Sequence, residues 1–170
     1  MFRTLHKTLA LLWLAVLAAG GWWIYDNGLV QDAWWICANS RENPDMPPPV
    51  TGQVTGVISA NEFYLELTNR LTYRMTLSGV KTPRLRKGLT PENAPARLLL
   101  DGLINQKTVT VHHGHFGRNH YGKGYVEVAG TNVARAMIAS RQAALDREQI
   151  RSLSFQEQFG LLHAERKARP

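Results

Sequence analysis

Residues 54–77 read VTGVISANEFYLELTNRLTYRMTL, and this stretch decides the fold. Apolar and polar side chains alternate in three short runs, at 54–58, 63–67 and 71–77, which are rich in β-branched and aromatic residues. Residues that favour turns separate the runs. The pattern predicts three β-strands that follow one another as a β-meander.

A helix is predicted after the meander. Thr90 is a candidate N-cap residue, and Pro91 follows at the first helical position, where a proline costs nothing. Leucines and alanines then recur at helical spacing as far as Ile104.

Two further strands and two further helices complete the chain. Strands are predicted at 107–113 and from Tyr121, and helices from Val133 to Met137 and from Phe155 to Ala168. Three strands, a helix, two strands and then helices is the order of an OB-type barrel. We therefore expect an α+β domain at 50–170, with a five-stranded barrel and about three helices.

Composition excludes several other classes of protein. The chain has 170 residues, of which 44% are hydrophobic and 19% are charged, so it is too apolar for a disordered chain. Its single cysteine, Cys37, excludes a disulfide-stapled scaffold and a cysteine-rich zinc module.

The positive charge lies mostly in the predicted domain. Residues 51–170 hold seventeen of the 20 Lys and Arg and nine of the 13 Asp and Glu. A basic domain suggests an acidic partner, although a basic solvated surface is an equally simple interpretation.

The N-terminal part predicts a membrane anchor. Residues 8–25 read TLALLWLAVLAAGGWWIY and carry no charge. As a helix they would span about 27 Å, close to the thickness of a hydrocarbon core. The basic residues lie in the short end at 1–7, so the N-terminus is expected inside and the domain on the outer (periplasmic, intermembrane-space or extracytoplasmic) side. A cleaved signal peptide with a V-x-A site at Val16 is the alternative, and a mitochondrial targeting segment fits less well.

Residues 26–49 are predicted to link the anchor to the domain. Residues 33–36 read AWWI and are suited to a membrane surface, where tryptophan rings are favoured. Residues 39–49 read NSRENPDMPPP and predict an extended spacer.

Four segments of the domain resemble the staphylococcal-nuclease-like, or thermonuclease, family. GQVTGVISANEFYL is similar to the family's opening strand, turn and second strand, and MTLSGVKTP to the end of its third strand. YGKGYVEVAGTNVARAMI resembles its Y-G-R segment and the helix that follows, and QEQFGLLHAERKA its last helix. The order and spacing of the four segments carry the resemblance, which implies an OB-type barrel and calcium-dependent cleavage of phosphodiesters.

The resemblance also implies where metal ligands would lie, and this chain departs from the family there. Asn61 stands at the position of the first metal-binding aspartate, and Lys81, followed by Thr82, stands at that of the second. A lysine repels a divalent cation, so we expect no metal at this position. Glu62 is the only carboxylate near the turn, and beside Lys81 and Arg84 it is better interpreted as an ion-pair partner than as a metal ligand.

The catalytic positions depart in the same way. The family's water-activating glutamate is matched by Arg84, which cannot accept a proton at neutral pH. Its two phosphate-gripping arginines are matched by Thr76 and Lys123, and Arg74 lies two residues before Thr76 on the same strand face. We therefore expect no catalytic residues of the family's mechanism.

Although the metal and catalytic positions depart from the family, the resemblance still implies a basic groove. In the resembled fold the segment after strand three and the loop before strand five flank one groove, which suits a nucleic-acid backbone or another polyanion. The candidate polyanion-binding residues are Arg74, Lys81, Arg84, Arg86, Lys87, Arg118, His120 and Lys123.

Histidines 112, 113, 115 and 120 raise the question of a metal site. Imidazole binds zinc and copper, but His112 and His113 point to opposite faces of a regular strand, and their loop holds no Cys, Asp or Glu. A pH-sensitive loop or an exposed cluster is the favoured interpretation.

The sequence therefore predicts a single-pass membrane protein with a catalytically degenerate nuclease-like domain. We expect an interaction or accessory module that contacts membrane lipid through residues 8–25 and a protein partner in a membrane assembly. The alternatives are a protein that binds nucleic acid or another polyanion, and a residual metal-dependent endonuclease. No cofactor is expected, and calcium only for the endonuclease.

Overall fold

The computed structural model describes residues 16–22, 24, 28–41, 47–82 and 94–169. The chain divides into two compact units, Met1–Asn39 and Ser40–Pro170. In the first unit residues 16–22 are helical, and helix α1 runs over Leu29–Asn39. No helix among the described residues is long and apolar enough to cross a membrane. Residues 8–15, 23 and 25 of the predicted anchor lie outside the described residues.

Helix α1 was not predicted from the sequence. The linker at 26–49 contains eleven helical residues, so it is not extended along its whole length. Trp34 is 71% exposed on this helix, whereas Ile36 is buried. The spacer that follows is described only at 39–41 and 47–49, and of these residues all but Asn39 have no regular structure.

The second unit is an α+β domain with eight strands and four helices among its described residues. The strands are β1 (Val50–Val57), β2 (Glu62–Leu67), β3 (Thr72–Leu77), β4 (Val80–Lys81), β5 (Thr108–Phe116), β6 (Tyr121–Val128), β7 (Thr131–Asn132) and β8 (Ala144–Leu145). The helices are α2 (Pro95–Ile104), α3 (Val133–Ala139), α4 (Arg147–Ile150) and α5 (Phe155–Ala168).

Five strands close into a barrel. Strands β3, β2, β1, β5 and β6 are hydrogen-bonded neighbours in that order, and β3 also pairs with β6. The closing pair is parallel, with Arg74 opposite Tyr121 and Leu77 opposite Gly124, whereas the other four pairs are antiparallel. Helix α2 lies between the third and fourth strands of the barrel in the chain. This arrangement fits the predicted OB-type fold.

The inside of the barrel is apolar because alternate residues of the strands point inward. Phe63 and Leu65 on β2 and Met75 and Leu77 on β3 are at most 1% exposed, whereas the residues between them are more exposed. The period-two pattern of residues 63–77 therefore predicted the inward face of the meander correctly.

Two glycines allow β6 to approach both of its neighbours. A Cβ atom on Gly124 would collide with Cγ1 of Val111 on β5. A Cβ atom on Gly122 would lie 2.5 Å from Sδ of Met75 on β3, closer than two such atoms can approach. The barrel can therefore close only because Gly122 and Gly124 have no side chains.

Helices α3 and α5 begin where side chains can satisfy free backbone N–H groups. The side chain of Asn132 accepts a hydrogen bond from the backbone of Arg135 at the start of α3. Ser154 and Glu157 form a complete capping box at the start of α5, whose predicted bounds are confirmed.

Two sequence predictions of element bounds are wrong, and one short helix was not predicted. Helix α2 begins at Pro95 with Ala94 as its N-cap, four residues after the predicted proline at Pro91, and Thr90 and Pro91 lie outside the described residues. Strand β5 continues past His113 to Phe116, because a bulge between His112 and His115 interrupts its alternation. The short helix α4 gives the described part of this unit four helices instead of three.

Candidate binding face

The outer surface of β2, β3 and β6 carries a continuous set of polar and aromatic side chains. Glu62 on β2 is in register with Thr76 on β3, and Thr76 is in register with Lys123 on β6. One step along the strands, Tyr64, Arg74 and Tyr121 form a second row. We call these six residues the outer face: Glu62, Tyr64, Arg74, Thr76, Tyr121 and Lys123.

Arg74 lies at the centre of the outer face and is held there by two neighbours. Its Nη2 atom lies 3.0 Å from Oε2 of Glu62, and its Cζ atom lies 5.6 Å from the centroid of the Tyr121 ring. The hydrogen bond to Glu62 and the charge of that carboxylate raise the pKa of Arg74, so the guanidinium stays charged. Tyr121 is 53% exposed and Tyr64 is 44% exposed, which leaves faces of both rings open to solvent.

The structure thus brings together Thr76 and Lys123, the two residues that match the family's arginines. Arg74 lies on the same outward face as Thr76, as predicted from their spacing. Glu62 forms an ion pair, as predicted, but its partner is Arg74; Lys81 pairs with Asp146, and Arg84 lies outside the described residues.

Lys81 lies in a different sheet from the outer face. Strand β4 pairs with β8 in a separate two-stranded sheet, with Lys81 opposite Ala144. Its Nζ atom lies 3.3 Å from Oδ1 of Asp146, a carboxylate whose side chain is only 10% exposed. An anion that bound to Lys81 would therefore compete with a carboxylate that already holds it.

Asp146, the partner of Lys81, is a residue that the sequence analysis missed. Its Oδ1 atom accepts a hydrogen bond from the backbone N–H of Glu148, and its Oδ2 atom accepts one from Nε2 of Gln149 at 2.9 Å. Oε1 of Gln149 in turn accepts from the backbone N–H of Gly79, just after β3. No motif surrounds Asp146 in the sequence, and only the fold shows that it faces Lys81.

A buried tyrosine belongs to the same network. The hydroxyl of Tyr125 donates to the backbone carbonyl of Gln149 at 3.0 Å. Burial raises the pKa of Tyr125, and the negative charges of Glu157 and Asp146 add to the effect. The phenol is therefore a fixed hydrogen-bond donor, which connects β6 to helix α4.

The turn at the predicted first metal position is organised by its own residues. Oγ of Ser59 donates to Oδ1 of Asn61 at 3.2 Å, and the backbone carbonyl of Asn61 accepts from the N–H of Leu77 at 2.8 Å. Among the residues that the structure describes, no three His, Cys, Asp or Glu side chains are grouped so that they could hold a metal ion.

The remaining candidate residues fall into two sets. Arg118 and His120 are exposed in the turn between β5 and β6, and the backbone carbonyl of His120 accepts from the N–H of Arg74. The turn is therefore attached to the edge of the outer face. Arg84, Arg86 and Lys87 lie outside the described residues.

Two of the histidines, His112 and His113, lie close to carboxylates from other elements. Nε2 of His112 lies 3.3 Å from Oε2 of Glu127 on β6, and Nε2 of His113 donates to Oε1 of Glu157 on α5 at 3.1 Å. The sequence analysis found no acidic residue in the histidine loop because both carboxylates come from elsewhere in the chain.

Glu157 is held by several donors at once. Burial alone would raise its pKa, but hydrogen bonds from the Ser154 hydroxyl, from His113 and from the Ser154 backbone outweigh burial and keep the pKa low. His113 therefore supports the N-terminal cap of α5 from the neighbouring strand.

The resemblance to the staphylococcal-nuclease-like family rests on the four sequence segments and agrees with the order of strands in the barrel. It stays a prediction, because no protein-family model matches the chain and no curated protein matches it.

Proposed function

We propose that this chain is a non-hydrolytic, nuclease-like binding module that is anchored to a membrane and serves a larger assembly. One observation carries the proposal: the carboxylates near the expected catalytic centre are engaged by cations of the same chain. Glu62 is paired with Arg74, and Asp146 is paired with Lys81.

Hydrolysis of a phosphodiester by the family's mechanism needs negatively charged carboxylates at the positions of Lys81 and Arg84. A metal ion or another cation must contact the phosphate, and a base must activate water. Lys81 fills the expected metal position with a positive charge of its own, and Arg84, at the position of the base, cannot accept a proton.

The membrane part of the proposal rests on residues 8–25, which are uncharged and apolar throughout. The chain would cross the bilayer once, with its N-terminus inside and the barrel on the outer side. Helix α1, with Trp34 and Trp35, would follow at the membrane surface, where tryptophan side chains are favoured.

Extraction in mild detergent tests the accessory role directly. The full-length chain, purified through a C-terminal tag after nuclease treatment, should retain a protein in constant ratio. A double variant of the outer face, Tyr64→Ala with Lys123→Glu, tests whether the partner contacts that face. Recovery of the chain alone from several detergents would contradict the assembly role.

A second candidate function is the binding of single-stranded nucleic acid or a similar polyanion. The outer face favours it, because two exposed tyrosine rings lie beside Arg74 and Lys123, and bases stack on such rings while cations contact the phosphates. In an OB-type barrel this is also the surface on which oligonucleotides bind.

Salt dependence separates this candidate from a neutral surface. Affinity for a short single-stranded oligonucleotide should fall steeply as salt rises, and Lys123→Glu should abolish it. Lys167→Glu on α5 is the matched control, since it makes the same charge change at an exposed residue away from the outer face. Equal losses in the two variants would show only a non-specific charge effect.

The third alternative, a residual endonuclease, requires calcium-dependent cleavage that Arg84→Ala reduces. We expect no cleavage over a range of divalent metals, because Glu62, the carboxylate of the outer face, is paired with Arg74.

A further inference from the structure

An aromatic stripe runs along one side of helix α5. The rings of Phe155 and Phe159 are stacked with centroids 6.0 Å apart and an interplanar angle of 13°. The rings of Phe159 and His163 continue the stack at 6.4 Å and 5°. These residues are four positions apart, so they lie on one side of the helix. We call them the aromatic stripe.

The stripe borders the side of α5 that packs against the domain and is more exposed than that side. Gln158, Leu161 and Leu162 are buried, at most 2% exposed. Phe155, by contrast, is 47% exposed, and Phe159 and His163 are half-buried. Phe155 thus stacks on Phe159 and still leaves nearly half of its surface in water, so the stripe presents apolar surface to solvent.

The barrel unit begins beside the same end of α5. Ser40 is the first residue of that unit, and its Oγ atom accepts a hydrogen bond from Nε2 of the buried Gln158 at 3.0 Å. The backbone N–H of Arg41 donates to the carbonyl of Arg151 at 2.7 Å. The chain that arrives from the proposed anchor is therefore fixed to the residues that surround the start of α5.

We propose that the aromatic stripe contacts the surface of the bilayer in which the chain is anchored. This inference rests on the proposed anchor, because the anchor keeps the start of the barrel unit within a short length of chain from the lipid. Arg41 is exposed, and its backbone N–H is bonded to the carbonyl of Arg151, four residues before Phe155, so the chain brings a cation to the segment that leads into α5. Aromatic rings next to basic side chains are the combination that binds at the interface between headgroups and acyl chains.

Fluorescence quenching in vesicles tests this contact on the full chain. Cys37 is the only cysteine of the sequence, so Cys37→Ser provides a background for one labelled thiol. An environment-sensitive dye is placed at Phe155→Cys or, as a control, at Leu71→Cys in the turn between β2 and β3, where Leu71 is 42% exposed. The vesicles contain equimolar phosphatidylcholine and phosphatidylglycerol, with or without nitroxide-labelled lipid.

The dye at position 155 should show blue-shifted emission and strong quenching by nitroxide lipid, whereas the dye at position 71 should show neither. Adding Phe159→Ser should weaken quenching at 155, and circular dichroism should show an unchanged fold. Suppose that alkaline carbonate does not release the chain from the vesicles. Similar spectra at both positions would then contradict the contact between the stripe and the lipid, but not the anchor. Release of the chain by carbonate would contradict both the proposed anchor and the proposed contact of the stripe with lipid.

Discussion

At the scale of single residues, positions that look catalytic in the sequence have structural roles in the fold. The resemblance aligns Lys81 with a metal-binding aspartate of the family, and in this fold Lys81 neutralises the nearly buried Asp146. Asp146 also accepts two hydrogen bonds at the start of α4. The sequence could predict that Lys81 excludes a cation, but it could not predict the partner, because the two residues are far apart in the chain and no pattern relates them.

We expect Asp146→Ala to lower the free energy of unfolding by about 1–3 kcal/mol, because it leaves the donors of Glu148 and Gln149 without their acceptor. Urea unfolding of the purified chain measures the change. Lys81→Gln is the control and should cost less, since Lys81 is 63% exposed and Asp146 keeps its other hydrogen bonds. Equal costs would show that the ion pair, and not the hydrogen bonds, holds Asp146.

Gly124 offers a second prediction at this scale. Gly124→Ala places a methyl group against Val111 inside the barrel, and we expect a loss of about 1–3 kcal/mol in unfolding free energy. Gly102→Ala is the control, because a Cβ atom there meets nothing within 4 Å. In the middle of α2 the added methyl group should stabilise the helix by about 0.5–1 kcal/mol. A neutral Gly124→Ala would mean that β6 does not lie this close to β5.

At the scale of elements, the sequence predicted those whose side-chain period is regular. The bounds of α5 follow from Ser154 and Glu157, which form the capping box in the structure. Strand β5 was cut short because the bulge at His112–His115 and the left-handed φ of 52° at His113 break the alternation. The start of α2 was misplaced because Thr90 and Pro91 carry the cap signal in the sequence, whereas the helix begins at Pro95 after Ala94, which has no side chain that can cap it.

The cap of α5 predicts a pH dependence of stability. The fold lowers the pKa of Glu157 below its ordinary value of 4.5, so the ionised carboxylate is the form that the folded state stabilises. This stabilisation is complete above about pH 4.5 and is lost as the pH falls through the lowered pKa of the folded state.

We therefore expect Glu157→Gln to lower the Tm at pH 7 and to flatten the decrease in Tm on acidification. Thermal unfolding followed by circular dichroism from neutral to acid pH measures both effects. Glu148→Gln is the control, because Glu148 is 72% exposed in its pair with Arg151 and should change the Tm little. The same acid profile for wild type and Glu157→Gln would contradict this role.

At the scale of the whole molecule, closure of the barrel determines which predicted site residues meet. The parallel pairing of β3 with β6 brings Thr76 beside Lys123 and Arg74 beside Tyr121. The same closure leaves Lys81 in a second sheet, so the predicted basic groove is divided between two sheets among the described residues. Sequence spacing places residues along one strand, but the pairing of distant strands is needed to assemble a surface.

Calcium titration of the full-length chain in detergent tests the central claim most directly. Isothermal titration calorimetry, with single-stranded DNA present and absent, should show no saturable calcium binding, and the DNA should remain intact. Saturable binding that Glu62→Gln removes, together with cleavage of the DNA, would contradict the claim that this chain's own cations occupy the place of the catalytic metal.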